Sequence, residues 1–157
     1  MNQPVMELTF RPFQIHDQTI VHRLILEGLG DHFSVVDTSL NPDLDDINAS
    51  YVEKGHAFLV AQSAGQIVGV GALVALDCQV GRLVRISVAR GYRRLGIGAM
   101  IVNQLVELAR ERHFKRLVVE TNFDWLEAIA LYRNCGFQQY DRDEESVHMD
   151  LILSHAR

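Results

Sequence analysis

Gly96 and Gly98 alternate with Ile97 directly after Arg93 and Arg94, in the run Ile86-Ser-Val-Ala-Arg-Gly-Tyr-Arg-Arg-Leu-Gly-Ile-Gly-Ala-Met. The run reads as a strand ending near Val88, a loop, and a long helix starting near Gly96. A helix N-terminus presents unpaired backbone N–H groups and partial positive charge, which is the chemistry of phosphate binding. Glycines let backbone approach a phosphate with no Cβ in the way, and Arg93 and Arg94 add bidentate positive charge. Two other phosphate motifs are excluded. No GxxxxGK[ST] occurs, and Ile101 stands where a GxGxxG would need its third glycine. The competing reading is a surface turn whose arginines are solvated.

The elements that must position this loop follow from periodicity. Glu7 to Phe13 alternates as a short strand, and Asp17 is placed to cap a helix carrying Ile20, Val21, Leu24 and Ile25. That helix is expected to stop at Gly28 to Gly30, with a polar segment from Asp31 to Asn41 and a second helix over Asp43 to Glu53. Ala57 to Ala61, Gln66 to Leu76 and Arg82 to Val88 are apolar and rich in β-branched residues, which predicts a three-strand meander. Ile97, Ile101, Leu105 and Leu108 recur at helical spacing, with Asn103, Glu107 and Arg110 facing out. Leu117 to Glu120 reads as a strand, Asp124 as the cap of a helix running to about Asn134, and Phe137 to Tyr140 and Val147 to Leu153 as closing strands. The order βααβββαβαββ is α+β, with helices on both faces of one mixed sheet.

Bulk properties bound the answer. A chain of 157 residues, 48% hydrophobic and 22% charged, suits one domain over 1–157 with a real core. A net charge of -5 argues against general nucleic-acid binding, which needs a basic face. Cys78 and Cys135 form no disulfide framework, and the seven histidines show no HxH or HExxH spacing, so no metal is expected. Met1 to Phe10 is no secretory signal, and no apolar run reaches the roughly 20 residues of a membrane helix. The expectation is a soluble, cytoplasmic protein without nucleic-acid or membrane partners, with a homodimer left open.

Arg93-x-x-Gly96-x-Gly98, preceded by Ile86-x-Val88, resembles the acetyl-CoA signature of the GNAT superfamily of N-acetyltransferases. Ala128-x-x-Leu131-Tyr132-x-x-x-Gly136-Phe137 resembles that family's second motif, AxxLYxxxGF, in the right order and on the expected element. The predicted element order matches the family along nearly the whole chain. The resemblance implies a mixed, mostly antiparallel sheet of about seven strands and acetyl-CoA as co-substrate. It makes Ile86, Val88, Arg93, Arg94, Gly96, Ile97, Gly98 and Ala99 the coenzyme contacts.

Aminolysis of a thioester requires the ammonium group to lose a proton and the departing thiolate to gain one or be stabilised. The resemblance casts Tyr132 as the acid, since a phenol with a reference pKa of about 10 is a neutral donor at pH 7. On helical pattern alone Tyr132 reads as a core tyrosine. Glu120 is the candidate base: it stands from Tyr132 as base from acid in the family's ribosomal-protein N-terminal acetyltransferases. A surface ion pair at Glu120, or a water relay, is the alternative. Many relatives place a carboxylate on the strand before the glycine loop, where this chain has Arg82 and Arg85. Trp125 stands where the ribosomal-protein N-terminal acetyltransferases often have asparagine, so that pantetheine contact does not carry over. The first two helices would shape the acceptor pocket, with Arg85 binding an acceptor carboxylate or pairing with a buried acid such as Glu120. The expected acceptor is a small-molecule primary amine or amino acid; a protein N-terminus or lysine, or a non-catalytic acyl-CoA-binding module, are the other readings.

Overall fold

The computed structural model describes residues 7–32 and 41–153. Three runs rich in β-branched residues, Ala57–Ser63 (β2), Gln66–Ala75 (β3) and Val80–Val88 (β4), pair as an antiparallel meander. Thr9–Pro12 (β1) adds to the outer edge of β2. Arg116–Asn122 (β5), Gln138–Arg142 (β6) and Ser146–Ile152 (β7) complete one seven-stranded sheet in the order β1-β2-β3-β4-β5-β7-β6. Every neighbouring pair is antiparallel except β4 and β5, which the crossover helix Ile97–Glu111 (α2) connects in parallel. Among the described residues no helix is long and apolar enough to cross a membrane.

Two apolar layers cover the sheet. On one face α2 and Leu126–Asn134 (α3) bury Ile97, Ile101, Leu105, Ile129 and Tyr132 against Leu73, Leu83, Leu117 and Val119. On the other, Gln18–His32 (α1) buries Val21, Leu24 and Ile25 with Leu44, Ile47 and Tyr51 against Val60, Val70 and Ala72. Glycines in β3 let α2 settle close to the sheet. A Cβ built on Gly71 would lie 2.6 Å from Ile86 Cδ1 and 2.8 Å from Ile101 Cγ2.

Several local expectations are corrected. α1 runs through Gly28 and Gly30 to His32, because packing of its buried face outweighs the low helix propensity of glycine. Ile20 is exposed, not core. Asp17 does not cap α1: its carboxylate accepts from Gln14 N at 2.8 Å, within the 3-10 turn Ile15–Asp17, and from both terminal nitrogens of Arg11. Asp124 does not cap α3, whose N-cap is Trp125. The expected second helix is a 3-10 turn at Pro42–Leu44 followed by a π turn at Asn48–Val52. Gln18 intercepts the backbone between them, donating to Leu44 O at 2.7 Å and accepting from Ile47 N at 3.0 Å. Those bonds satisfy groups that a continuous helix would have paired internally. Of the predicted polar segment, residues 33–40 lie outside the described residues.

Gly71→Val should destabilise the protein by about 1–3 kcal/mol through overpacking beneath α2. Urea denaturation against the parent chain checks this; an unchanged midpoint would mean that α2 rises off the sheet at no cost.

Candidate active site

Parallel pairing of β4 with β5 is confined to Val80, Gly81 and Arg82 against Arg116, Leu117 and Val118. From Leu83 onward the strands diverge and leave a fork open towards the glycine loop. The cause is local. Arg85 takes a left-handed φ of 59°, and the β3–β4 register shifts across Val70/Ala72, so β4 carries a bulge. The extra residue switches which side chains face which layer. Val84 and Arg85 both turn towards the α1 layer, while Ile86 and Val88 join the α2 layer.

Past the fork the loop folds through left-handed residues at Gly91 (φ 92°), Arg94 (64°) and Gly96 (82°). Gly96 is the N-cap of α2, and the first intrahelical bond is Met100 N to Gly96 O at 3.1 Å. Among the described residues no hydrogen bond is donated by the backbone N–H groups of residues 94–99. These converge at a helix N-terminus, as a pyrophosphate site requires. Ile97 is 1% exposed and anchors the helix start, while Ala99 lies half-buried one position before the exposed Met100.

The glycines and arginines do different jobs from each other. Gly96 needs its left-handed backbone, and a Cβ there would meet nothing within 4 Å. At Gly98 a Cβ would stand 3.4 Å from Leu131 Cδ2, so this glycine also sets how closely α2 and α3 pack. Arg93 turns inward, donating to Val88 O at 3.2 Å and to Asp31 Oδ2 at 2.7 Å. Arg90 holds the same carboxylate from the other side, at 2.5 and 3.1 Å. These two arginines hold the Asp31 carboxyl down to about 2. Asp31, on α1, thus ties the loop to that helix. Arg94 stays extended into solvent, 90% exposed, with Glu127 3.9 Å away.

Tyr132 and Glu120 lie on opposite faces of the sheet, and no hydrogen bond or ring contact joins them. Tyr132 is buried in the α2 layer, its ring packed edge-on to Phe137, and its hydroxyl bonds to no other described residue. Burial pushes its pKa well above the ordinary value, with a smaller contribution from Cys135. Glu120 alternates with the buried Val119 and Thr121 and so faces the α1 side, pairing with Arg82 of β4 at 2.7 Å. It is thus both in the ion pair that the sequence allowed for and beside the fork.

Arg85 pairs with Asp43 rather than Glu120. Its Nε and terminal nitrogen reach the Asp43 carboxylate at 3.0 and 2.7 Å, and Tyr51 Oη donates to the same group at 2.5 Å. Burial alone would raise the Asp43 pKa, but Arg85 and Tyr51 outweigh it and leave it lowered. The triad clamps the turns after α1 onto the β4 bulge. A second contact missed in the sequence joins α1 to α3: the His32 and Trp125 rings stack at 4.1 Å, with His32 Nε2 3.6 Å from Asp124. Pairing choices such as these carry no sequence signal beyond the rule that an arginine on a central strand needs an acid.

The chain matches the acetyltransferase (GNAT) family over residues 23–137. This protein belongs to that family. As a GNAT enzyme it is an acyltransferase with acetyl-CoA as its co-substrate. The uncharacterized N-acetyltransferase YjgM of Escherichia coli (strain K12) is 30% identical over 147 residues, covering 88% of this chain and 84% of that protein. The chain spans about half the length of the rat and human N-acetyltransferase 8 relatives that it also matches. Among solved structures, a GNAT acetyltransferase from Staphylococcus aureus superposes with a TM-score of 0.84 at 22% identity, covering 94% of this chain and all (100%) of that one. A GNAT acetyltransferase from Elizabethkingia anophelis, solved with acetyl-CoA bound, gives 0.73 at 18% identity, covering 93% and 98%. The GNAT core is thus the seven-stranded sheet with its fork.

The Asp43 triad should make stability depend on acid in a definite direction. The folded-state pKa of Asp43 lies below the ordinary 3.8, so its contribution is complete above that value. It is lost as pH falls through the lower folded value. Asp43→Asn should therefore cost about 1.5–3 kcal/mol at neutral pH, with the gap to the parent closing in strong acid. Urea denaturation of both proteins along a pH series checks this.

Proposed function

We propose that this acetyltransferase moves the acetyl group from acetyl-CoA to the primary amine of a small molecule or amino acid by direct attack on the thioester. The reading is supported by the β4–β5 fork, with Glu120 on its α1 face, Tyr132 in the apolar layer on the other face, and the amides of residues 94–99, unbonded among the described residues, in the loop beyond it. The glycine-loop amides and Arg94 hold the pyrophosphate. The unpaired edge of β4 beyond Leu83, including Ile86 and Val88, lies along the pantetheine. Glu120 takes a proton from the ammonium group, and the free amine attacks the carbonyl carbon. The C–N bond forms as the C–S bond breaks, Tyr132 donates to the sulfur, and the second proton leaving the nitrogen restores the phenol. Burial keeps that phenol protonated throughout the neutral range, so it enters the reaction as a donor. The same fold, over 92% of this chain, also serves a ribosomal-protein-alanine N-acetyltransferase of Brucella melitensis, so the acceptor class rests on the screen below.

Incubating the enzyme with acetyl-CoA and a panel of small amines, amino acids and N-terminal peptides, with detection of released thiol, tests this. Turnover restricted to small amines is expected. Turnover of peptides alone would move the acceptor to a protein N-terminus, and no amine-dependent thiol release would leave a binding module. Tyr132→Phe should slow the chemical step by about 10²–10⁴-fold with coenzyme affinity retained. Glu120→Gln should be slowest at low pH, where the amine is mostly protonated, and recover as pH rises.

Arg94→Ala should weaken acetyl-CoA binding by about tenfold or more, the loss of charge-assisted hydrogen bonds worth about 1.5–3 kcal/mol. Calorimetric titration reads this directly, and unchanged affinity would return Arg94 to solvent.

A further inference from the structure

Beyond Glu120, on the side of β5 away from the fork, lies a polar cluster that the mechanism above does not use. His148 of β7 stands directly opposite Glu120 in the β5–β7 ladder, so the two side chains leave the sheet on the same face. His148 Nε2 lies 2.9 Å from Asp143 Oδ2. Polar atoms of Glu120, Asp143 and His148 all fall within 4.8 Å of one another. Asp143 is itself held: its Oδ1 accepts from Glu145 N at 2.9 Å and Ser146 N at 2.7 Å, closing the turn between β6 and β7. The row therefore runs Arg82, Glu120, His148, Asp143, from the apex of the fork outward over three strands.

The reaction's proton balance gives this row a task. An ammonium acceptor loses two protons in becoming an amide. One ends on the coenzyme thiol, and the other must reach solvent, so each turnover releases one proton. Without an acceptor both side chains reach solvent, Glu120 at 37% exposure and His148 at 24%; an acceptor seated over the fork covers Glu120, the group that took that proton, first. His148 lies one strand, about 4.8 Å, further out.

Resting on the assignment of Glu120 as the base, we propose that His148 is the proton exit of the acceptor site. Neutral His148 accepts the proton from the Glu120 carboxyl, restoring the carboxylate. The resulting imidazolium, steadied by Asp143, passes the proton to water. Asp143 is an acceptor, so it selects the tautomer with hydrogen on Nε2 and leaves the other ring nitrogen as the base. The groups facing His148 are Asp143 from the turn, Glu120 from β5, and Asp141 and Tyr140 from β6; on β7 itself, Asp150 is engaged by Arg116 at 2.9 Å. The hydrogen bond to Asp143 moves the His148 pKa above its ordinary 6.5, with Glu120 and Asp141 adding to it, towards the range where the ring both takes and releases a proton near neutrality. His148 acts through Glu120 and is a positioning and relay residue.

The test uses the whole enzyme, acetyl-CoA and the small amine that turns over fastest in the screen above. His148→Gln should lower kcat about tenfold in dilute buffer, and added imidazole should restore it by carrying the proton itself. A wild-type rate, or a slow rate that imidazole does not restore, overturns the relay. Asp143→Asn keeps the oxygen that closes the turn and removes the charge that raises His148, so the acidic limb of kcat should move to lower pH. That readout stands even where His148→Gln folds poorly, and an unmoved limb again overturns the proposal. Glu120→Gln measured alongside separates the two assignments. A wild-type rate there removes Glu120 as base, whereas a slow Glu120→Gln beside a full-rate His148→Gln removes the relay alone.

Discussion

Most of what makes the site follows from one residue too many in β4. The bulge at Arg85 puts a non-glycine residue at a φ of 59°, a conformation that costs about 1–2 kcal/mol. The structure offsets that cost with a bidentate ion pair to Asp43 and the Tyr51 hydroxyl on the same carboxylate. With the strand locked there, its last residues turn over: Ile86 and Val88 face α2, and the strand peels away from β5 after Arg82. Gly71 lies across from the bulge because Ile86 and Ile101 fill the space a side chain would need. A regular β4 would have continued the ladder with β5 and closed the fork.

The fork divides the chemistry by dielectric environment. On the α2 side Tyr132 sits among apolar side chains, where burial suppresses the phenolate. On the α1 side the surface carries fixed charge, from Arg82 and Glu120 to His148 and Asp143. A neutral phenol and a row of charged side chains are thus kept on opposite faces of one sheet. The helix α1 joins these regions mechanically. Asp31 grips the arginines of the glycine loop, and His32 stacks on Trp125 at the start of α3. Changes at the loop therefore reach α1, and those at α1 reach both motifs.

Much was legible in the chain itself. The meander, the long amphipathic α2 and the order of strands followed from periodicities of two and 3.6, which are properties of adjacent residues. The glycine loop was legible because Gly96 must be left-handed and the amides before an N-terminal turn have no internal partner. Where the reading failed, a distant group had intervened. Gln18 took the backbone bonds that would have made a helix of residues 43–53. Asp17 and Asp124, apparent caps by position, were claimed by Arg11 and His32.

Composition and local pattern determined the fold class, the glycine loop at the start of α2 and the two family motifs, since each depends on residues near one another in sequence. Pairing was decided only in three dimensions. Arg93, read as a phosphate ligand, is held by Asp31 of α1; Arg85 looked free to meet Glu120 and met Asp43, while Arg82 took Glu120. A charged side chain chooses among partners by distance and burial, and those are set by how the β4 bulge rotates the strand and how α1 lies across it. Neither quantity exists until the sheet has formed.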